Sequence, residues 1–462
     1  MDSDTFLTKD NEIPPASTKK MMLFAFPRIG SSILLGLIGF ALFTLYTTGF
    51  GLNETQVTNR ITIGYIAIAI SQPFFGWISD VTYIKKLGSR KPYVFLLAPI
   101  LVLSFICLLM PQLFLDNPSD TALLSWLLIW NTLFEISYAV TTPYQAWMAE
   151  QFNVHDRPKC SQIQNIFNFI GQIIQTLFAM LILTNFEDNV TEYRNTIPPA
   201  YRWGVILFGI FFLLSIYFSA FFMPTEPKKA EKPNLLENFK IALTNKRYQQ
   251  VVFMQGFASI GWAIAGTVIL KYLAEVLFLS TTQKIIVSGV LVLGIIFFLE
   301  FWKRNIARMG KTKSIKMVFL FGIFIMPLSL IGLIPVNNGL WFGLILVGGY
   351  AFVIGGWYLF PYIMYADLAE DDERQTNVQK AGLYVGYPSI ILNLFQAFGT
   401  FLLGQLYKFG EIDVGVHTIK IGNLIWGPVV SIILLGVYFY TNKYVLIDFD
   451  WAKSNLPNDL QA

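Results

Sequence analysis

Apolar residues come along this chain in runs of membrane-crossing length, separated by short polar loops. A helix needs roughly 20 apolar residues to cross roughly 30 Å of hydrocarbon. That ruler predicts helices over 27–50, 57–83, 92–115, 121–150, 158–185 and 200–223. A polar stretch from Pro224 to Gln250, holding six cations, interrupts the series. Six further runs follow over 251–279, 282–302, 314–335, 339–366, 380–407 and 421–442. The expected organisation is a polar tail (1–26), a six-helix bundle (27–223), a linker (224–250), a second six-helix bundle (251–442) and a closing tail (443–462).

Composition places the chain in a lipid solvent. Charged residues make up 13% and hydrophobic residues 55% of the 462, where a soluble domain carries about a quarter charged residues. The expected class is therefore all-α integral membrane protein. A formal net charge of +4 gives no support for nucleic-acid binding. The position of the cations matters more. With the N-terminus inside, the inner segments hold 26 of the 33 Lys and Arg and the outer loops six, with Lys271 inside a predicted helix. That bias predicts both termini on the cytoplasmic side. No cleavable leader is evident, because the tail is polar and the first apolar run lacks a small-residue cleavage site. Cys107 and Cys160 sit in or beside apolar runs, which argues against a structural disulfide, and His155 and His417 are too few for a metal cluster. No cofactor is expected, and no catalytic constellation or glycine-rich phosphate loop is present.

The halves echo one another. Pro143-Tyr144 through Ala149-Glu150 and on to Asp156-Arg157 recurs as Pro361-Tyr362 through Ala366-Asp367 and on to Glu373-Arg374, 218 residues later. The loop Gly76 to Pro92, with Asp80, Gly88, Arg90 and Lys91, recurs in weaker form from Trp302 to Lys313, placing Gly310 222 residues after Gly88. Two landmarks agree on one parallel repeat, the plan on which two bundles rock about a midplane site.

The loop spacing resembles the signature of the major facilitator superfamily. Within it, Gln72-Pro73 through Pro92, Thr142-Pro143-Tyr144 through Arg157, and Phe360-Pro361-Tyr362 through Asp371-Asp372-Glu373 to Gly382-Leu-Tyr384 resemble the glycoside-pentoside-hexuronide:cation symporters, the melibiose permease group. The resemblance implies twelve transmembrane helices in two pseudo-symmetric six-helix bundles. It also implies a gating role for Asp80, Arg90 and Lys91, with Asp367 and the acidic run Glu370 to Glu373 matching them in the second half. Departures accompany it. Where cation-coupled relatives carry acids, this chain has Ser32, Ile68, Gln72 and Thr141, and it has Asn393 at the position of their lysine. A reversible cation site needs anionic oxygen, so the family's cation site is not expected here.

Polar residues inside the predicted helices carry the remaining chemistry. Glu135 falls near the middle of the fourth run, where an unpaired carboxylate costs at least about 2.5 kcal/mol. It is either a proton-titrating coupling acid or a structural glutamate between helices. Lys271 and Glu275, four apart, share a helical face in the outer half, as an outer gate or as a snorkelling lysine near a helix end. Ser32, Gln72, Asn131, Thr141, Gln145, Asn165, Gln172 and Asn393 form a set of neutral hydrogen-bonding groups, and Tyr144, Trp357 and Tyr358 add aromatic faces suited to a sugar. For any one amide helix-to-helix glue is the stronger explanation; as a set they read as a cavity.

The expected function is alternating-access transport of a small neutral or polyhydroxylated solute, a sugar or glycoside, either coupled to protons or uncoupled. The alternatives are an amphiphile or lysolipid transporter and a transporter-like receptor. The expected setting is the plasma membrane, as a multi-pass monomer.

Overall fold

The computed structural model describes residues 15–152, 156–183, 196–225, 244–334, 339–360, 363–365, 367–368, 371–372 and 388–448. Nearly all of this is helix, as a chain in hydrocarbon must be, since only a helix or a closed barrel satisfies every backbone group without water. The helices of the first half are α1 (Thr18–Ala25), α2 (Pro27–Thr44), α3 (Glu54–Val81), α4 (Lys91–Leu109), α5 (Asp120–Tyr138), α6 (Thr141–Gln151), α7 (Arg157–Leu183) and α8 (Pro199–Phe222). Those of the second are α9 (Lys246–Glu275), α10 (Thr281–Met309), α11 (Lys311–Ile325), α12 (Gly339–Trp357), α13 (Pro388–Leu406) and α14 (Gly422–Tyr444), with a hairpin β1 (Glu411–Val414) and β2 (His417–Lys420) before the last.

Local chemistry sets the helix ends. Asn53, Ser119 and Asn245 cap α3, α5 and α9 by accepting a backbone N–H three residues on, and Ser280 with Gln283 forms a capping box on α10. Pro27 stands in the first turn of α2, where its missing N–H costs nothing. Residues 18–25, which hydropathy alone leaves in the N-terminal tail, form α1. It stacks end to end on α2 and buries Met21, Phe24 and Ala25.

Among the described residues, eleven helical segments are long and apolar enough to cross a membrane. The twelfth is α7, 27 residues long, whose amides Gln164, Asn165, Asn168, Gln172 and Gln175 lower its apolarity. Large apolar side chains on α8, α10 and α11, among them Phe221, Leu293, Phe297 and Phe324, point outward. That is the surface a bilayer covers.

α1 with α2, and α5 with α6, each form one membrane-length segment, so each half counts six, and among the described residues the two sextets meet mainly through α3 with α13, α2 with α9, and α7 with α10. The repeat is visible in the backbone. Gly88 and Gly310 both adopt left-handed φ, 77° and 82°, which glycine alone adopts cheaply. In each half a cation after that glycine then meets an acid further along the chain, Arg90 with Glu150 of α6 and Lys311 with Asp367.

Candidate functional site

Neutral amides collect where the sextets meet. Asn393 Nδ2 of α13 donates to Gln72 Oε1 of α3 at 3.3 Å, a bond across the two halves. On the α2 side, Ser32 donates to Asn168 of α7. Asn165, Asn168 and Gln172 follow the i, i+3, i+7 spacing of one helical face. Asn165 and Gln172 are half-buried, and neither hydrogen-bonds any described residue. Phe169 on the same helix lies 6.4 Å from Tyr358, again across the halves. Trp357 packs 5.6 Å from Trp262 and 6.1 Å from Phe319. The structure therefore pairs Gln72 with Asn393 and sets Phe169 near Tyr358 across the halves, joins Ser32 to Asn168 within the first half, and buries Trp357 against Trp262 and Phe319.

Other members of the expected set are placed elsewhere. Asn131 is buried between α5 and α3 and donates to the Arg60 carbonyl at 3.2 Å, which is interhelical glue. The Thr141 hydroxyl folds back onto the Tyr138 carbonyl of its own chain segment. Tyr144 is 3% exposed, its ring stacked on Phe24 at 4.8 Å and its hydroxyl donating to the Phe24 carbonyl. The reading of Tyr144 as a free stacking platform is thus corrected, because α1 covers its face. Gln145 is half-buried without a hydrogen bond to a described residue.

Glu135 stands one turn beyond Asn131 on α5, 6% exposed. Its stem crosses Gly64 of α3 so closely that a methyl group there would sit 3.0 Å from the glutamate Cγ. No described residue hydrogen-bonds its carboxylate.

At the end carrying both termini, Arg90 is the organising charge. It takes Glu150 in a two-pronged grip (Nη2 to Oε1 2.6 Å, Nε to Oε2 3.2 Å), donates to Ser79 at 2.6 Å and also pairs with Asp80. Burial alone would lower the guanidinium pKa, but the hydrogen bond and charge of Glu150, with Asp80, raise it above the ordinary value. Glu150 was missed as Arg90's partner, although it closes the Pro143 motif. Lys91 is not in this cluster. It donates to the Met223 carbonyl at 2.8 Å, at the C-terminal end of α8, where a cation is favoured. These contacts lie within the first sextet. In the second, Lys311 pairs with Asp367, while Asp448 accepts from the Lys311 and Thr312 N–H groups at 2.7 and 3.2 Å. Glu370 and Glu373 lie outside the described residues.

At the opposite end the sextets are joined by charge. Lys271 does not snorkel. Its side chain is 2% exposed, and its ammonium reaches Glu275 at 2.6 Å and Glu54 at 3.4 Å. It also donates to Thr47 and Thr48, each at 3.3 Å. Lys420 of β2 holds both Glu54 oxygens at 2.7 Å, and Asn423 donates to Glu275 at 3.0 Å while accepting from the Tyr407 hydroxyl at 2.5 Å. Beside this cluster Thr55 donates to the Gly404 carbonyl at 2.7 Å. Sequence reading missed Glu54, Thr47, Thr48 and Lys420, since nothing local marks partners more than 200 residues apart. Among the described residues no group of three or more His, Cys, Asp or Glu forms a metal-ligand cluster.

A family model described as "MFS/sugar transport protein" matches residues 23–439. Solved structures share the fold. A D-xylose-proton symporter is 14% identical with TM-score 0.65, covering 94% of this chain and 99% of that one. The nucleoside transporter NupG is 13% identical with TM-score 0.59, covering 92% and 100%. The xylose transporter XylE from E. coli, in an inward-open conformation, is 12% identical with TM-score 0.61, covering 94% and 97%. No curated protein matches the sequence at a significant level.

Proposed function

The chain belongs to the MFS/sugar transport protein family, and from that premise we propose that it moves a small, neutral, polyhydroxylated solute across a bilayer by alternating access. The observation that carries the substrate class is the Gln72–Asn393 bond between the sextets, taken with the half-buried amides Asn165 and Gln172 on α7. An amide offers both donor and acceptor, as a hydroxyl-rich solute requires, and none of these side chains carries a fixed charge. Half-buried Tyr358, 6.4 Å from Phe169 across the halves, supplies an aromatic face for a sugar. With the termini in the cytoplasm, as the Lys and Arg distribution argues, the Lys271 cluster is the outer gate, and it stands closed.

Coupling in this reading runs through protons at Glu135. The support is a buried carboxylate that no described residue hydrogen-bonds, packed against α3, the helix that carries Gln72. Groups of this kind in membrane helices mark proton relays.

Uptake of labelled pentoses, hexoses and glycosides into proteoliposomes tests the substrate class. Saturable uptake of one of them is expected, reduced at least about tenfold by Asn393→Leu, since a site built for hydroxyls loses heavily when a partner is removed. Uptake of none, or equal uptake by the variant, refutes the reading. Glu135→Gln should abolish accumulation driven by a proton gradient while leaving solute exchange intact. Unchanged accumulation removes Glu135 from the coupling.

A further inference from the structure

Lys271 stands in a setting that solute binding does not require. Its ammonium is surrounded by four oxygens, Glu275 Oε1 at 2.6 Å, Thr47 Oγ1 and Thr48 Oγ1 at 3.3 Å, and Glu54 Oε1 at 3.4 Å. The Phe43 ring centroid lies 6.0 Å away on a further side. Carboxylate and hydroxyl oxygens from three separate elements, the Leu45–Gly49 turn, α3 and α9, are the shell that a hard cation gathers. We propose that Lys271 is a tethered monovalent cation, filling an oxygen cage shared by the two sextets so that the outer gate closes with no sodium or potassium ion bound.

Two features support this beyond the distances. The cage is charge-balanced, with Glu54 and Glu275 set against Lys271 and Lys420, whose ammonium holds both oxygens of Glu54. Remove the Lys271 charge and Glu275, its side chain 30% exposed, remains as an excess carboxylate beside buried Thr47 and half-buried Thr48, a state that a replacement cation would relieve. The second feature is the backbone. Residues Leu45–Gly49 close α2 with a π-helical turn, and that turn carries both Thr47 and Thr48, the two hydroxyls that meet the same ammonium. Single π turns are rare and gather at functional sites.

The consequence is energetic. A diffusible cation needed for closure ties the solute's movement to the gradient of that cation. A covalently held one never leaves and transmits no such gradient, whatever protons do at Glu135. This consequence rests on the transport reading, but the cage is tested without any solute, so the two fail separately.

The experiment compares melting of the purified protein in sodium, potassium and choline chloride at equal ionic strength, with binding of radioactive sodium as a second readout. Wild type should melt alike in all three salts and bind no sodium. Lys271→Ala should melt several degrees lower in choline, regain stability saturably with sodium or potassium, and bind the label. The double variant Lys271→Ala with Glu275→Gln removes the excess charge and should again ignore the salt. The proposal is overturned if Lys271→Ala responds equally to the three salts and binds no sodium, or if it fails to fold even in sodium and potassium. Sodium stabilisation of wild type, or of the double variant, also overturns it.

Discussion

Gly404 of α13 faces α3 of the other sextet so closely that an added methyl group would lie 2.1 Å from Thr58 Oγ1 and 3.1 Å from Thr58 Cβ. Ordinary contact needs more than an ångström extra, so Gly404→Ala forces the helices apart where they seal. Overpacking of this kind costs about 1–3 kcal/mol, and stretching the neighbouring Thr55–Gly404 hydrogen bond adds about 1 kcal/mol. Because the strain exists only while the gate is shut, a net of about 2 kcal/mol moves the closed-to-open ratio roughly thirty-fold, at about 1.4 kcal/mol per tenfold. Gly399, five residues earlier, is the control. There a methyl group meets the Ile260 carbonyl of α9 at 2.6 Å, inside one sextet, so Gly399→Ala should lower the melting temperature without changing the gate. Spin labels on the exposed residues Gln56 and Phe409 read the distance across the seal. A longer-distance population is expected for Gly404→Ala, partly reversed by adding Thr58→Ala. If both glycine variants lose stability alike and the distance distribution stays put, the sextets do not part at this seam.

Arg90→Ala removes the guanidinium that pairs with Glu150 and Asp80. The expected loss is about 3 kcal/mol, the lower end for a broken buried pair because Asp80 retains contact with water, read as a fall in melting temperature that Arg90→Lys only partly recovers, since lysine cannot reproduce the two-pronged grip. Asp448→Ala strips the acceptor from two N–H groups at the start of α11, a cost of about 1 kcal/mol. Faster hydrogen exchange confined to residues 311–314 is the expected sign, and unchanged exchange there contradicts the capping role. The Glu135→Gln and Lys271→Ala outcomes stated above complete the set.

Much of the architecture was legible because the forces that build it are local. Length and apolarity alone require a membrane helix, and positive charge on short loops orients it. The cation-rich loop and its echo at Gly310 announced a duplicated six-helix plan, and the family match over residues 23–439 bears out that resemblance. Where local signals were thin, boundaries shifted. Polar Thr18 to Lys20 hid α1, although its buried Phe24 decides the surroundings of Tyr144.

What only the tertiary structure decided is which polar group meets which. Lipid is as apolar as a protein core, so a membrane helix carries little in its pattern to say which face turns inward. The sequence therefore presented Asn131 and Asn393 as equals, while helix rotation sends one to the Arg60 backbone and the other across the halves to Gln72. The same limit hid the cage around Lys271. Its acids and hydroxyls come from chain segments whose approach depends on how the two sextets pack, and that packing turns a lysine expected near a helix end into the buried charge that joins them.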